Sequence, residues 1–160
     1  MRKELLGIIE NDSRISLKDL AVRLGREEID VANELSELEA NGIICGYHTL
    51  INWEKTEIEK VTALIEVKVT PQRGQGFDRI ASRIYNYPEV RDVFLISGGF
   101  DLMVILEEKS LKDIARFVSE KLSTLDSILS TSTHFILKKY KDHGTIVNEG
   151  KEDEREAISL

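Results

Sequence analysis

SLKDLAVRLGREEIDVANELSELEANG, residues 16–42, decides how the first third of this chain folds. Ser16 stands three residues before Asp19, a capping-box-like helix start with the shorter acid. Leu17, Leu20, Ala21 and Leu24 then recur on one helical face. Gly25 permits a tight turn, because a residue without Cβ tolerates positive φ. A second stripe, Ile29, Ala32, Leu35 and Leu38, predicts a longer helix over 28–41, with Gly42 as its stop. A short helix, a glycine turn and a longer helix form the helix-turn-helix arrangement. A three-helix cap with no nucleic-acid role would show the same periodicity, but the order, lengths and turn position favour helix-turn-helix. Upstream, Leu5, Leu6, Ile8 and Ile9 mark a first helix beginning near Arg2 and fading at Asn11, Asp12 and Ser13. Downstream, IICGYHTLIN (43–52) is apolar and β-prone, which predicts a wing or a strand leading out of the module.

From Val61 the period changes to two. Val61, Ala63, Ile65, Val67 and Val69 alternate with Thr62, Leu64, Glu66, Lys68 and Thr70, and Pro71 closes the strand. Phe77, Ile80, Ala81, Ile84 and Tyr85 mark one face of a helix that ends before Pro88. RDVFLIS (91–97) and LMVILEE (102–108) read as strands joined by a turn. A second helix carries Leu111, Ile114, Ala115, Val118, Leu122 and Leu125 on its apolar face, and STSTHFILKKY (130–140) reads as a fourth strand. The order β-α-β-β-α-β is the ferredoxin-like split fold, with its two halves weakly repeated as FDRIASRI and DIARFVSE. The fold class is therefore α+β, a (winged) helix-turn-helix module followed by a ferredoxin-like βαββαβ domain. The expected boundaries are 1–52 for the module, 53–60 for a linker, 61–143 for the second domain and 144–160 for an acidic flexible tail. Helices cover only one face of such a sheet, and 102–106 offers apolar side chains to both faces. A second copy packed against the open face would bury them, which predicts a homodimer.

An apolar fraction of 41% with 32% charged residues places the chain among globular proteins rather than disordered ones. No apolar run approaches a bilayer span, and the start, MRKELLGIIENDS, lacks the pattern of a signal peptide, so no membrane partner is expected. The single cysteine, Cys45, has no internal disulfide partner, and no Cys/His spacing suggests zinc. A reducing cytoplasm fits, with no metal and no cofactor. Cys45 reads as a small semi-buried residue, Trp53 as a packing anchor, and His48, His134 and His143 as scattered. Net charge is −7, unusual for a protein that binds nucleic acid. Residues 1–52 hold six Lys/Arg against ten Asp/Glu, residues 53–148 balance, and 149–160 are acidic, so the negative charge sits in the N-terminal module and the tail.

The stretches LLGIIENDSRISLKDLAVRLG, LEANGIICGYHTLINWEK, VKVTP, YPEVRDVFLISGGFDLMVIL and STLDSILSTSTHFILKKYK together resemble the Lrp/AsnC family, also called feast/famine regulators. The resemblance runs from Leu5 to about Lys141. The pairing of L-E-x-x-G-I-I-x-G-Y with P-E-V…S-G-x-x-D-L carries it. It implies a transcriptional regulator that binds promoter double-stranded DNA as dimers assembled into higher oligomers. It also implies a small effector, usually an amino acid, held in clefts where dimers meet.

The recognition helix departs from the family, which usually carries Arg where this chain has Glu34. Residues 27–41 hold six acids (Glu27, Glu28, Asp30, Glu34, Glu37, Glu39) and no base. Carboxylates in a first helical turn stabilise the helix dipole by about 0.3 to 1 kcal/mol each, so Glu27, Glu28 and Asp30 have a structural use. The same end of the helix is the one that enters a major groove, where Glu28, Asp30, Val31 and Glu34 are the candidate contacts. Among the basic residues, Arg14, Lys18, Arg23 and Arg26 are the candidate phosphate contacts, although a solvated helix face explains them equally well.

Ser97–Gly98–Gly99–Phe100–Asp101 joins two strands. Two glycines supply the positive φ of a tight hairpin, and they also let backbone N–H groups approach a ligand carboxylate. Asp101 is placed to receive an ammonium. Spacing alone leaves a plain turn and an amino-acid site both open, and the resemblance favours the site, with Ser97, Gly98, Gly99, Asp101, Ser132 and Thr133 as its candidate residues. The hydroxyls of 130–133 suit a strand as well as a ligand. The loop Arg73–Gly74–Gln75–Gly76 is polar and too short for a phosphate loop. Two other readings stand beside the regulator. One is an effector-binding co-subunit of the same family with little DNA binding of its own, which the acidic helix favours. The other is an enzyme like the sirohaem decarboxylases built on this fold; no nucleophile–base pair supports it, so no catalytic residue is assigned.

Overall fold

The computed structural model describes residues 2–70 and 76–148. The chain divides into two compact units, Met1–Leu50 and Ile51–Leu160. The first unit holds α1 (Arg2–Asn11), α2 (Leu17–Leu24) and α3 (Glu28–Ala40). Ser16 caps α2, its hydroxyl accepting from the Asp19 amide at 3.0 Å and donating to the Asp19 carboxylate at 2.6 Å. Gly25 closes α2 in the left-handed region at φ 62°, and the amide of Arg26 reaches back to the Ala21 carbonyl at 3.0 Å. Leu5, Ile9, Leu20, Ala21, Val31 and Leu38 form one buried cluster drawn from all three helices.

The expected wing does not form. Residues 43–50 make no strand; the amides of Ile43 and Ile44 instead cap α3 through the Leu38 carbonyl. A wing needs a second strand to pair with, and no segment of this unit supplies one. Cys45 is exposed rather than semi-buried, its thiol donating to the Gly42 carbonyl at 3.2 Å.

The second unit is built on β1 (Val61–Val69), α4 (Asp78–Tyr85), β2 (Val90–Leu95), β3 (Leu102–Glu108), α5 (Leu111–Phe117) and β4 (Ile128–Phe135). The sheet order is β2-β3-β1-β4 with every pairing antiparallel, the ferredoxin-like arrangement. Ala63, Ile65, Val67 and Val69 of β1 and Leu102, Val104 and Leu106 of β3 are buried with Ile80, Ile84, Ile114 and Phe117 of the two helices. The residues between them, Leu64, Glu66, Met103 and Ile105, stand on the opposite face, with Phe94 of β2 49% exposed. The apolar side chains on both faces of 102–106 are thus as the alternation predicts.

Two helix faces differ from their sequence pattern. A π-helical turn, Val118–Leu122, continues α5, with the Ser123 amide bonding the Val118 carbonyl at 2.8 Å. The wider turn brings Phe117 and Leu122, five residues apart, into one core. Leu111, at the first position of α5, is 55% exposed, and Ala115 is exposed as well, against the expectation that both face inward. On α4, Tyr85 is 58% exposed, and Tyr87 packs edge-on against Phe117 at 5.4 Å in its place.

A two-stranded hairpin, β5 (Lys141–Asp142) and β6 (Thr145–Ile146), occupies part of the segment read as tail. Asn52 and Asn148 fasten it: Asn52 Nδ2 donates to the Val147 carbonyl at 3.0 Å, and Asn148 Nδ2 to Glu54 at 2.8 Å. The remainder of the expected tail, and Arg73–Gly74–Gln75, lie outside the described residues. Trp53 is partly buried, with Lys60 Nζ 4.0 Å above its ring. Among the described residues no helix is long and apolar enough to cross a membrane.

At the far end of β3, Glu107 receives three cations: Arg91 at 2.6 Å, Lys60 at 3.4 Å and Lys139 at 3.9 Å. Burial pushes its carboxyl up, but Arg91 and Lys60 outweigh burial and hold it below the ordinary glutamate range. A depressed folded-state pKa adds stability above the unfolded value of about 4.3, and that stability is lost as pH falls through the folded value. Glu107→Gln should therefore destabilise by about 1–2 kcal/mol at pH 7, because three cations lose their counter-charge while the amide oxygen remains only a neutral acceptor. The gap to the parent should close in acid, where the parent's own carboxyl is protonated. Denaturant midpoints at neutral and acidic pH check both halves.

Candidate nucleic-acid interface and effector turn

The helix-turn-helix presents α3 with one face in the core and the other in solvent. Val31 is fully buried and holds α3 to its neighbours. Glu34 is also withdrawn, at 8% exposure. It accepts from the Arg26 guanidinium and lies 3.5 Å from Arg2, while Arg2 also binds Glu37 at 2.7 Å. The hydrogen bond from Arg26 holds the Glu34 carboxyl below its ordinary range against the opposing effect of burial. Of the candidate DNA contacts, then, Val31 and Glu34 point inward and Arg26 is engaged with Glu34. Glu28 and Asp30 are exposed in the first turn of α3. Arg14, Lys18 and Arg23 are exposed and carry no ion pair among the described residues. Sequence reasoning missed the Arg2–Glu34–Arg26 group, whose signal was an acid three residues past Val31 on the flank of the buried stripe. It also placed Ile29 on the inward stripe, whereas Ile29 is 66% exposed in the first turn of α3, and it passed over the exposed Asn33 and Ser36.

In the second unit, the turn between β2 and β3 is anchored by Asp101. Its amide donates to the Val67 carbonyl at 3.1 Å, its carbonyl accepts from Ile96 at 2.8 Å, and its carboxylate accepts from the Val69 amide at 2.9 Å. Asp101 thus ties the turn to the end of β1. Ser97, Gly98 and Gly99 are exposed beyond it. The expectation of positive φ is corrected here: neither Gly98 nor Gly99 lies in the left-handed region. Six residues from Ile96 to Asp101 spread the reversal over an open bend, so no single residue has to adopt it. A Cβ on Gly98 would meet Ile96 at an ordinary 3.7 Å, and one on Gly99 would meet nothing within 4 Å. Folding of the chain therefore gives no reason for either glycine.

Ser132 and Thr133 do not converge on this turn. Ser132 pairs with Glu66 and Thr133 with Ile65, so they face opposite sides of the sheet, and β1 separates both from β3. Ser132 instead joins a polar group on the open face, where His134 Nε2 lies 3.3 Å from Glu66 and 3.4 Å from the Ser132 hydroxyl. Two clefts of this unit lie elsewhere, one of about 250 Å³ beside Glu89 and Lys121, the other of about 610 Å³ beside Trp53 and Lys60. Among the described residues no group of three or more His, Cys, Asp or Glu side chains is placed to hold a metal ion.

A helix-turn-helix unit followed by a ferredoxin-like unit with an open sheet face suits a one-component regulator, in which one chain carries a reader of DNA and a sensor. The model of the Lrp/AsnC ligand binding domain matches residues 62–146. An uncharacterised helix-turn-helix-type transcriptional regulator of Bacillus subtilis, YugG, is 47% identical over 157 residues, covering 98% of this chain and 95% of that protein. The chain belongs to the Lrp/AsnC family and is a helix-turn-helix-type transcriptional regulator. Solved structures share its fold. A transcriptional regulator of Neisseria meningitidis in complex with L-methionine aligns with a TM-score of 0.69 and 21% identity, covering 86% of this chain and 88% of that one. A feast or famine regulatory protein of M. tuberculosis complexed with L-methionine gives 0.70 and 20%, covering 90% and 95%.

Proposed function

We propose that this cytoplasmic regulator binds double-stranded promoter DNA through α2 and α3 and responds to an amino acid bound at the Ser97–Asp101 turn. It does so as a homodimer joined through the open sheet face and assembled further into higher oligomers. The observation that carries the DNA reading is the distribution of charge within the first unit. Glu34 is neutralised from inside by Arg26 and Arg2, whereas Lys18 and Arg23 of α2 and Arg14 before it are free for phosphate. That weakens the objection from the acidic helix and favours a regulator over a co-subunit without DNA binding. The effector reading is supported by two exposed glycines that the fold does not require and by the L-methionine complexes of the Neisseria and M. tuberculosis proteins. An α-amino acid offers a carboxylate for the backbone amides of the exposed bend and an ammonium for the Asp101 carboxylate, one oxygen of which takes the Val69 amide. Leu64, Met103, Ile105 and Phe94, rimmed by charged Glu107 and Glu66, support the dimer. Activity in this reading is binding, with no enzymatic step.

The test is retention of DNA from the gene's own upstream region across a salt series. Affinity should fall steeply with salt. Lys18→Ala and Arg23→Ala should each lower the slope of log K against log salt by about 0.9, one phosphate contact apiece. No retention at low salt, with amino acids added, would transfer the function to a partner subunit.

A further inference from the structure

Resting on the homodimer reading, we propose that acid tightens the dimer through an ion pair between His134 of β4 and Glu66 of β1, which a second copy seals from water. The open face of the sheet is divided along β1. Phe94, Met103 and Ile105 on one side, with Leu64, are apolar, whereas Ser130, Ser132 and His134 on the other are polar. Glu66 stands on the seam, paired in register with Met103 of β3 and with Ser132 of β4. Directly opposed residues keep their Cβ atoms about 4.5–5.5 Å apart, so a surface that covers Met103 and Leu64 covers Glu66 as well. In the single copy the Glu66 side chain is 37% exposed and that of His134 is 53% exposed, so water reaches both.

A carboxylate drawn out of water needs a positive partner beside it. His134 Nε2 lies 3.3 Å from Glu66 Oε1 and 3.4 Å from the Ser132 hydroxyl. The helices pack on the opposite face, so the remaining charges near the pair come from the sheet itself. Lys68, two residues along β1, is exposed beside Ser130 and makes no ion pair among the described residues. Asp92 is held by Arg91 at 3.4 Å, and Glu107 by Arg91, Lys60 and Lys139. Burial of Glu66 therefore favours the imidazolium, and His134 holds its proton more tightly in the dimer than in the single copy. The stability so added is complete below the ordinary histidine value of about 6.5. It is lost as pH rises through the higher value of the dimer. Glu89, Glu107 and Asp142 are each held below their ordinary ranges by neighbouring cations, so they stay charged throughout this window. A two-fold dimer takes up two protons, and assembly of the regulator answers to acidity beside its effector.

The experiment is urea unfolding of the full-length protein over a dilution series at pH 8, 7 and 6, in the presence of a chelator. Unfolding of a dimer shifts with protein concentration, which yields the association constant even where the native dimer does not come apart. A hydrogen bond to a charged partner is about twice as strong as a neutral one, and with two per dimer the association should tighten roughly 10- to 100-fold from pH 8 to pH 6. His134→Gln should abolish that gain. Glu66→Gln should abolish it too, yet associate at pH 8 at least as tightly as the parent, because no carboxylate is then buried. His143, bound to Asp142 on the hairpin at 2.7 Å, titrates in the same window, and His143→Asn should keep the gain. Association indifferent to pH overturns the proposal, as does a gain that survives His134→Gln. So does a Glu66→Gln dimer that is weaker than the parent at pH 8. Unfolding that does not shift with concentration removes the homodimer reading itself, a result distinct from a dimer that ignores pH.

Discussion

Leu38→Ala should abolish DNA retention while the sheet domain remains folded and still binds effector. Leu38 is 1% exposed and sits near the end of α3, in a cluster of six buried residues shared by three helices. Truncating a leucine in such a site removes its burial and leaves a cavity, a loss of about 2–5 kcal/mol. At about 0.05–0.15 kcal/mol per residue, a unit as small as Met1–Leu50 has little more than that in total. None of the thirteen buried residues of the second core is touched. Hydrogen exchange should thus show protection lost from α1 to α3 and kept in β1 and β3. Equal loss of protection in both units would mean that they unfold together, and would refute the separation.

Gly98→Ala should leave the thermal midpoint unchanged or raise it, and yet weaken effector binding at least tenfold. Its φ is outside the left-handed region and the added Cβ meets Ile96 at 3.7 Å, so alanine fits without strain. Replacing glycine at a compatible position stabilises by about 0.4–1 kcal/mol, because the unfolded chain has fewer states to lose. A ligand carboxylate hydrogen-bonded to the amides of the bend would be pushed away by the same methyl group, and a tenfold loss needs only about 1.4 kcal/mol. Asp101→Ala is the informative contrast. It removes the acceptor of the Val69 amide and should lower stability by about 1–3 kcal/mol along with binding. Calorimetric titration with L-methionine and other amino acids, beside thermal melts, separates the two. A Gly98→Ala variant that binds as the parent does would take the effector away from this bend.

Local signals announced the elements that depend on local chemistry. Ser16 with Asp19, Gly25 after Leu24, and the strict alternation from Val61 to Val69 each state their structure within a few residues, and each is found. The departures come from partners that are distant in sequence. Residues 43–52 have the composition of a strand but no neighbour to pair with. Leu111 keeps helical spacing yet stands at the exposed first position of α5, while the π turn at Val118–Leu122 shifts the phase after Phe117 so that Phe117 and Leu122 share one core. The short hairpin at Lys141–Ile146 has little apolar periodicity and depends on Asn52 and Asn148. At the interface the same rule holds. A glutamate on a groove-facing helix reads as a repulsive surface charge until Arg26 and Arg2, eight and thirty-two positions away, are seen to close over it. Glycines in a bend read as hairpin glycines until their dihedral angles show that the turn does not need them.

The position of β1 also sets an order of events at the ribosome. It lies in the middle of the sheet, yet its neighbours are β3, where Val61 meets Glu108, and β4, where Ala63 meets Phe135. This largely apolar strand is thus synthesised first in the second unit, has no partner until β3 at 102–108 has emerged, and lacks its second partner until β4 at 128–135 follows. Its helix-turn-helix neighbour, made only of local contacts, is complete long before. During that interval the newborn chain carries a folded N-terminal unit ahead of an unpaired apolar strand, the kind of edge that invites pairing with other nascent copies.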